Sequence, residues 1–433
     1  MFYFIGIKGT GMASLATMLH DLDNEVCGSD LEKHFFTEDP LVERGIAIYP
    51  FNPDNIKDNY TVIIGNAFLE DFPEVVAARS NKTCTCYRYH EYLGKLMEGY
   101  KTISICGSHG KTTTTTLAKT VFSKFRKTGY LIGDGEGYLE KDSEYLCAES
   151  CEFRRHFLAY HPDYAIITNI EIDHVDYFRD EDDYFDAYQE FVGNVKKAVF
   201  YYGDDPWCKK LQFDKENYSF GFDSNNDYYI ENVANDSRST SFDLMHKGEK
   251  LYRYDVPFVG DHMIIDILGV LSLSEYMGFD HKMVEEAIHE YVGPKRRYVV
   301  EEYKDTIFVD DYAHHPTEVK VTIEASRKRY PDREIVAIFK PHRASRVMYF
   351  AEQFKEALEL ADKVYLLDFT SIDDKQDGTD IDISYLAKMI DGSVILPEND
   401  EGAMMLTKHH GSCLVFMSSK DIYNIAEKVK EAL

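Results

Sequence analysis

Short apolar runs alternate along this chain with longer stretches of helical spacing. Runs rich in β-branched and aromatic residues stand at residues 2–7, 25–27, 62–64, 103–106, 165–168, 307–309, 335–339, 364–368 and 413–417. Such runs, separated by helix-length segments, predict an α/β protein with mainly parallel sheets. A length of 433 residues predicts about three domains. Breaks are expected near Glu98-Gly99 and near Gly293-Pro294, giving domains at 1–98, 99–294 and 295–433. No internal repeat is visible. The stretch from Asp373 to Gly378 is acidic and is expected as a polar surface loop.

The run at 103–106 enters Gly107-Ser108-His109-Gly110-Lys111-Thr112-Thr113, and a helix is predicted from there to about Phe125. Strand, glycine loop and helix in that order form a phosphate-binding loop. Gly107 and Gly110 permit a tight turn, and the loop N–H groups with the helix N-terminus face an anion. Lys111 adds positive charge to the outer phosphates, and Thr112 offers a hydroxyl to Mg²⁺. Ile105 stands where the usual eight-residue loop opens on a further glycine, so this loop is a shortened variant. The plain alternative is a glycine turn before a Thr-rich helix, and Gly-Lys-Thr directly after a strand favours the nucleotide.

A second glycine loop, Gly6-Ile7-Lys8-Gly9-Thr10-Gly11, follows the first strand and precedes a helix to about His20. Its spacing is G-x-x-G-x-G and not the dinucleotide G-x-G-x-x-G. A strand at 25–27 then ends at Gly28-Ser29-Asp30, where Rossmann-type folds place an acid on a sugar hydroxyl. Close glycine packing explains this loop almost as well, and the presence of two such loops favours a nucleotide plus a second diphosphate ligand.

Composition narrows the partners. A hydrophobic content of 44% is enough for several cores. No run is long and apolar enough to span a bilayer, and the N-terminus reads as a first strand and not as a signal peptide. The net charge of −28 argues against nucleic acid and against anionic membranes. Eight scattered Cys, among them Cys106 and Cys413 in apolar runs, fit reduced thiols in a cytoplasm. Cys84 and Cys86 lack a second pair for zinc and read as structural.

Acids and bases then collect at predicted strand ends, where open α/β sheets bind ligands. Glu149 and Glu152 follow one strand, and Glu171, Asp173, His174 and Asp176 follow another. Carboxylate, His and Thr hydroxyl near a triphosphate suit Mg²⁺. Lys295-Arg296-Arg297 stands at the second break, His314 in DDYAHHP, and Arg343 and Arg346 in KPHRASR. Any one of these alone would be an ordinary polar loop.

Taken together and in order, GIKGTGM, GSD, GSHGKTT, TNIEIDH, GPKRR, DDYAHHPTE and PHRASR resemble the Mur ligase family of bacterial cell-wall synthesis over essentially the whole chain. DDYAHHPTE is most like the members that add the first amino acid, L-alanine, to UDP-N-acetylmuramate.

The resemblance implies a Rossmann-like N-terminal domain, a central P-loop ATPase-like domain and a Rossmann-like C-terminal domain. It implies an ATP-dependent, amide-forming reaction through an acyl phosphate, with ATP and Mg²⁺ required. Gly9 and Gly11 would meet the diphosphate, Ser29 and Asp30 the uridine, and Arg296 and Arg297 would also serve the UDP-sugar. ATP would lie on Gly107 to Thr113, and Mg²⁺ on Thr112, Glu149 and His174. His314, Arg343 and Arg346 would serve the amino acid, and His174 or His314 would take the proton from its amine.

Three positions depart from the pattern. His262-Met263-Ile264-Ile265-Asp266 replaces a motif whose asparagines seat adenine. Lys340 replaces a Gln, and Ser418-Ser419-Lys420-Asp421 replaces Gly-Ala-Gly-Asp. Two alternatives remain: a sister ligase that joins a preformed peptide to the same UDP-sugar during wall recycling, and a non-catalytic UDP-sugar-binding protein.

Overall fold

The computed structural model describes residues 1–236, 239–370 and 378–433. The acidic loop expected at Asp373 to Gly378 therefore lies, save for Gly378, outside the described residues. The chain forms two compact units, one of Met1–Glu171 with Asp182–Gly293, the other of Ile172–Glu181 with Pro294–Leu433.

The first unit holds two sheets. The smaller is wholly parallel, in the order Ala47–Tyr49, Val26–Ser29, Phe2–Ile5, Thr61–Ile64, Thr85–Arg88. Its central strands are continuous apolar runs because both faces are covered; Tyr3, Phe4, Ile5, Val62, Ile63 and Ile64 are all buried. The larger sheet has ten strands. Its centre is parallel, with Tyr145–Glu149, Lys101–Cys106, Tyr164–Ile167, Ala198–Tyr202 and Glu216–Gly221 side by side.

Helix Lys111–Phe125 lays Leu117, Ala118, Val121 and Phe122 into this core, and Phe125 stacks on Phe279 at 4.1 Å. Helix Asp261–Tyr276 buries ten of its residues, as a helix apolar on every side should. An antiparallel ladder of Tyr228–Asn235, Thr240–His246 and Glu249–Val256 extends one edge. The apolar-run reading did not predict it, because these strands mix exposed polar positions with buried aromatic ones.

The two sheets of this unit are pinned together. Ser14 Oγ donates to the Ile132 carbonyl at 3.1 Å and Thr17 Oγ1 to the Gly137 carbonyl at 3.0 Å. A Cβ on Gly94 would lie 2.3 Å from the Ala159 carbonyl oxygen, so helix Tyr89–Met97 sits tight on the turn at Phe153–Ala159.

The second unit carries a six-stranded sheet in the order Val299–Tyr303, Thr306–Asp311, Cys413–Met417, Ile335–Phe339, Lys363–Leu366, Val394–Ile395. Only its first strand runs antiparallel to its neighbour. Lys340, directly after the Ile335–Phe339 strand, is 1% exposed. Its Nζ donates to both Glu398 oxygens at 2.9 and 2.8 Å and to Asp421 at 2.8 Å. Two carboxylates thus balance a buried cation, and they tie three loops at the carboxyl end of this sheet.

Candidate functional site

In the first unit the glycine loop after strand Lys101–Cys106 leads into helix Lys111–Phe125, the strand, loop and helix order expected from the sequence. Gly107 has φ 138° and Gly110, the residue before the helix, φ 82°, values that favour glycine. A Cβ on Gly107 would lie 2.0 Å from Thr168 Oγ1. The His109 N–H donates to Asn169 Oδ1 at 2.9 Å, and His109 Nε2 meets Glu171 at 2.9 Å. Ser108 Oγ donates to the Glu171 carbonyl at 2.6 Å. Lys111 Nζ donates to the Gly107 and Ser108 carbonyls at 2.5 and 3.0 Å and pairs with Glu152 at 3.0 Å.

Burial alone would lower the Lys111 pKa, but the charges of Glu152, Cys151 and Glu149 outweigh it and hold the ammonium above its ordinary value. Thr112 is buried at the helix start. Glu149 ends its strand and accepts the Gly133 N–H at 2.8 Å. A Cβ on Gly133 would lie 2.5 Å from a Glu149 oxygen, so this glycine makes a cradle for the carboxylate. No motif marks Glu152, 1% exposed, as the partner of Lys111; its place three residues after Glu149 is the one signal the sequence offers.

The opening glycine loop stands at the carboxyl end of the smaller sheet. Gly6 takes φ 81°, and its Cβ would strike the Phe68 ring at 2.1 Å. Gly9 precedes helix Thr10–Asp21 and Gly11 lies in its first turn. The Asp30 carboxylate accepts the N–H groups of Lys8 and Leu31, both at 2.7 Å, which ties it to this loop. Burial raises its pKa, and these two bonds oppose the rise. Ser29 is fully buried, and its hydroxyl donates to Glu74.

In the second unit His174 has φ 52° and its N–H donates to Asp173 at 2.6 Å. Arg346, 2% exposed, donates from Nε to Asp173 at 2.8 Å and from Nη1 to the His342 carbonyl at 3.2 Å. Arg343 takes φ 69° and donates to Asp176 at 2.6 Å. A non-glycine residue held there is strained, as binding sites often are. His314 Nδ1 lies 3.0 Å from Glu318. Burial lowers the His314 pKa and Glu318 opposes that, leaving it below the ordinary histidine value. Arg296 pairs with Asp310 at 3.2 Å and donates to the Ser418 carbonyl at 2.8 Å, while Arg297 faces Glu318 at 3.7 Å and lies over Tyr312. Burial pushes the Asp311 carboxyl up to about 6. The roles of Asp173 and Asp176 as arginine partners carried no local motif.

Compared with known proteins, residues 1–101 match "Mur ligase family, catalytic domain", residues 105–273 "Mur ligase middle domain" and residues 295–411 "Mur ligase, glutamate ligase domain". The UDP-N-acetylmuramate–L-alanine ligase of Lacticaseibacillus casei strain BL23 is 41% identical over 432 residues, covering 100% of this chain and 98% of that protein. The crystal structure of the UDP-N-acetylmuramate–alanine ligase MurC of Thermotoga maritima shares the fold, with a TM-score of 0.81 at 24% identity over 100% of this chain and 98% of that one. A murein peptide ligase of Psychrobacter arcticus gives a TM-score of 0.79 at 21% identity, with the same coverage of both chains.

Proposed function

The chain belongs to the Mur ligase family, and from that membership we propose that it joins L-alanine to UDP-N-acetylmuramate in an ATP-dependent reaction. The observation that carries this reading is the 41% identity, end to end, with an L-alanine ligase. The phosphate loop with Lys111, Glu149 and Glu152 around it supports it chemically. No helix among the described residues is long and apolar enough to cross a membrane, and we place the reaction in the cytoplasm.

A muramoyl carboxylate is a poor electrophile. Its oxygen attacks the γ-phosphorus of ATP, giving an acyl phosphate and ADP; the amine of alanine then attacks the carbonyl and phosphate leaves. Gly107 to Thr113 would cradle the triphosphate, and the Lys111 ammonium would offset charge on the transferring group. Gly9, Gly11 and Asp30 would line the UDP-sugar, with the Ser29 hydroxyl held back by Glu74, and Arg296 and Arg297 would assist. His314, kept neutral by burial, is the proposed amine base, with His174 as the other candidate. The acceptor carboxylate would pair with Arg343 and with Arg346, whose Nη2 makes no hydrogen bond among the described residues.

Thr112, Glu149 and His174 are the proposed Mg²⁺ ligands, and the Gly133 cradle that presents the Glu149 carboxylate fits that role. A bound Mg²⁺ supplies charge neutralisation on the phosphates. Glu149→Gln should therefore raise the Mg²⁺ concentration needed for half-maximal activity. A titration superimposable on that of the parent protein would make Glu149 structural.

The reading itself is tested by ADP release with UDP-N-acetylmuramate and a panel of acceptors. L-Alanine should be best. Glycine and L-serine should react about 10–200-fold less efficiently, the range one small group in a pocket can supply. A preference for a tripeptide over free alanine would overturn the assignment in favour of a recycling ligase.

A further inference from the structure

We propose that the Tyr89 hydroxyl is a substrate-contacting donor of this ligation, set against the opening glycine loop. Tyr89 begins helix Tyr89–Met97 directly after the Thr85–Arg88 strand, so it stands at the carboxyl end of the smaller sheet. Open parallel sheets bind ligands at that end.

The ring lies against Gly11. A Cβ there would sit 2.6 Å from the Tyr89 oxygen and 2.7 Å from Cζ. Gly11 lies within a helix, so its glycine serves to admit this ring. Burial first, and then the charges of Cys151 and Glu149, raise the phenol pKa above its ordinary value. The hydroxyl thus stays protonated across the working pH range as a neutral donor. The Tyr89 side chain is half-buried, and its hydroxyl makes no hydrogen bond among the described residues.

The helix start cannot drift. His90 stacks on His156 at 4.3 Å, and the Asn66 amide bonds both rings, at 3.3 and 3.1 Å. Gly94 lies against the Ala159 backbone. The segment so gripped also carries Glu152, the partner of Lys111. Tyr89 is therefore held in fixed relation both to the glycine loop and to the phosphate loop. In the proposed arrangement a muramoyl carboxylate reaching out from the first loop would meet this hydroxyl. A hydrogen bond from Tyr89 would hold that carboxylate in line for phosphoryl attack.

This inference rests on the ligase reading, and the experiment separates the two. Tyr89→Phe in the full chain keeps the ring against Gly11 and removes only the hydroxyl. The value of kcat/KM for UDP-N-acetylmuramate should fall about 10–100-fold, the loss expected for a hydrogen bond to a charged group. KM for ATP and for alanine, and the unfolding temperature, should stay unchanged. Turnover within twofold of the parent protein overturns the proposal. So does a loss accompanied by a lower unfolding temperature or an equal rise in the KM for ATP, since either marks a structural ring. Should the parent protein itself fail to ligate, the ligase reading has failed. Calorimetry with UDP-N-acetylmuramate then decides for Tyr89: weaker binding by the variant supports the contact, and equal binding refutes it.

Discussion

Replacing Lys111 with alanine removes ligation almost entirely from a protein that still folds. Loss of a single positioned charge-stabilising donor costs a factor of about 10² to 10³ in turnover, and in the proposed reaction this ammonium would face the group that gains charge. The variant has a second consequence. Lys111 pairs with Glu152 at 3.0 Å, and Glu152 is 1% exposed. Removing only the lysine leaves a buried carboxylate without its cation, a destabilising change in its own right. Tyr184 donates to Glu152 at 3.3 Å but brings no charge. The double variant Lys111→Ala with Glu152→Gln removes both charges and should recover stability without recovering activity. Thermal unfolding and ADP release, measured on both proteins, separate the effects. Retained turnover in a folded Lys111→Ala protein would sink the assignment of ATP to this loop.

Much of the fold is legible in the sequence where burial is two-sided. The runs at 335–339 and 413–417 are strands with those same bounds, because central parallel strands read as unbroken apolar runs. The phosphate loop is legible because Gly107 and Gly110 must take positive φ beside Lys111. What stays hidden is long-range pairing. Ser14 meets Ile132 across 118 residues, and no local period announces that the first two sheets form one compact unit. The motif around Ser29 suggests a ligand contact, yet its hydroxyl turns inward to Glu74, 45 residues away. The charges of Asp173 and Asp176 look like metal or solvent chemistry until the fold sets arginines against them.

That last pairing predicts a large stability effect. Arg346 and Asp173 are 2% and 4% exposed, and their side chains meet at 2.8 Å. Burial would push the Asp173 carboxyl up, but the charge of Arg346 first, and of His174, His315 and His314 after it, holds it well below the usual carboxylate range. Breaking such a pair from either side leaves an uncompensated buried charge and costs about 3–5 kcal/mol. Asp173→Asn and Arg346→Met should each destabilise the second unit by that amount in urea unfolding at pH 7. The double variant should lose less than the sum, since it buries no lone charge.

The pH dependence has a definite sign. A carboxyl whose folded pKa is depressed contributes its full stability above the unfolded value of about 3.9 and loses it as pH falls through the folded pKa. The gap between the parent protein and Asp173→Asn should therefore be constant near neutrality and should narrow only in acid, below about pH 4. A cost for Arg346→Met under about 1 kcal/mol, the level of an exposed pair, would show that this contact does not hold the segment Ile172–Glu181 to its unit.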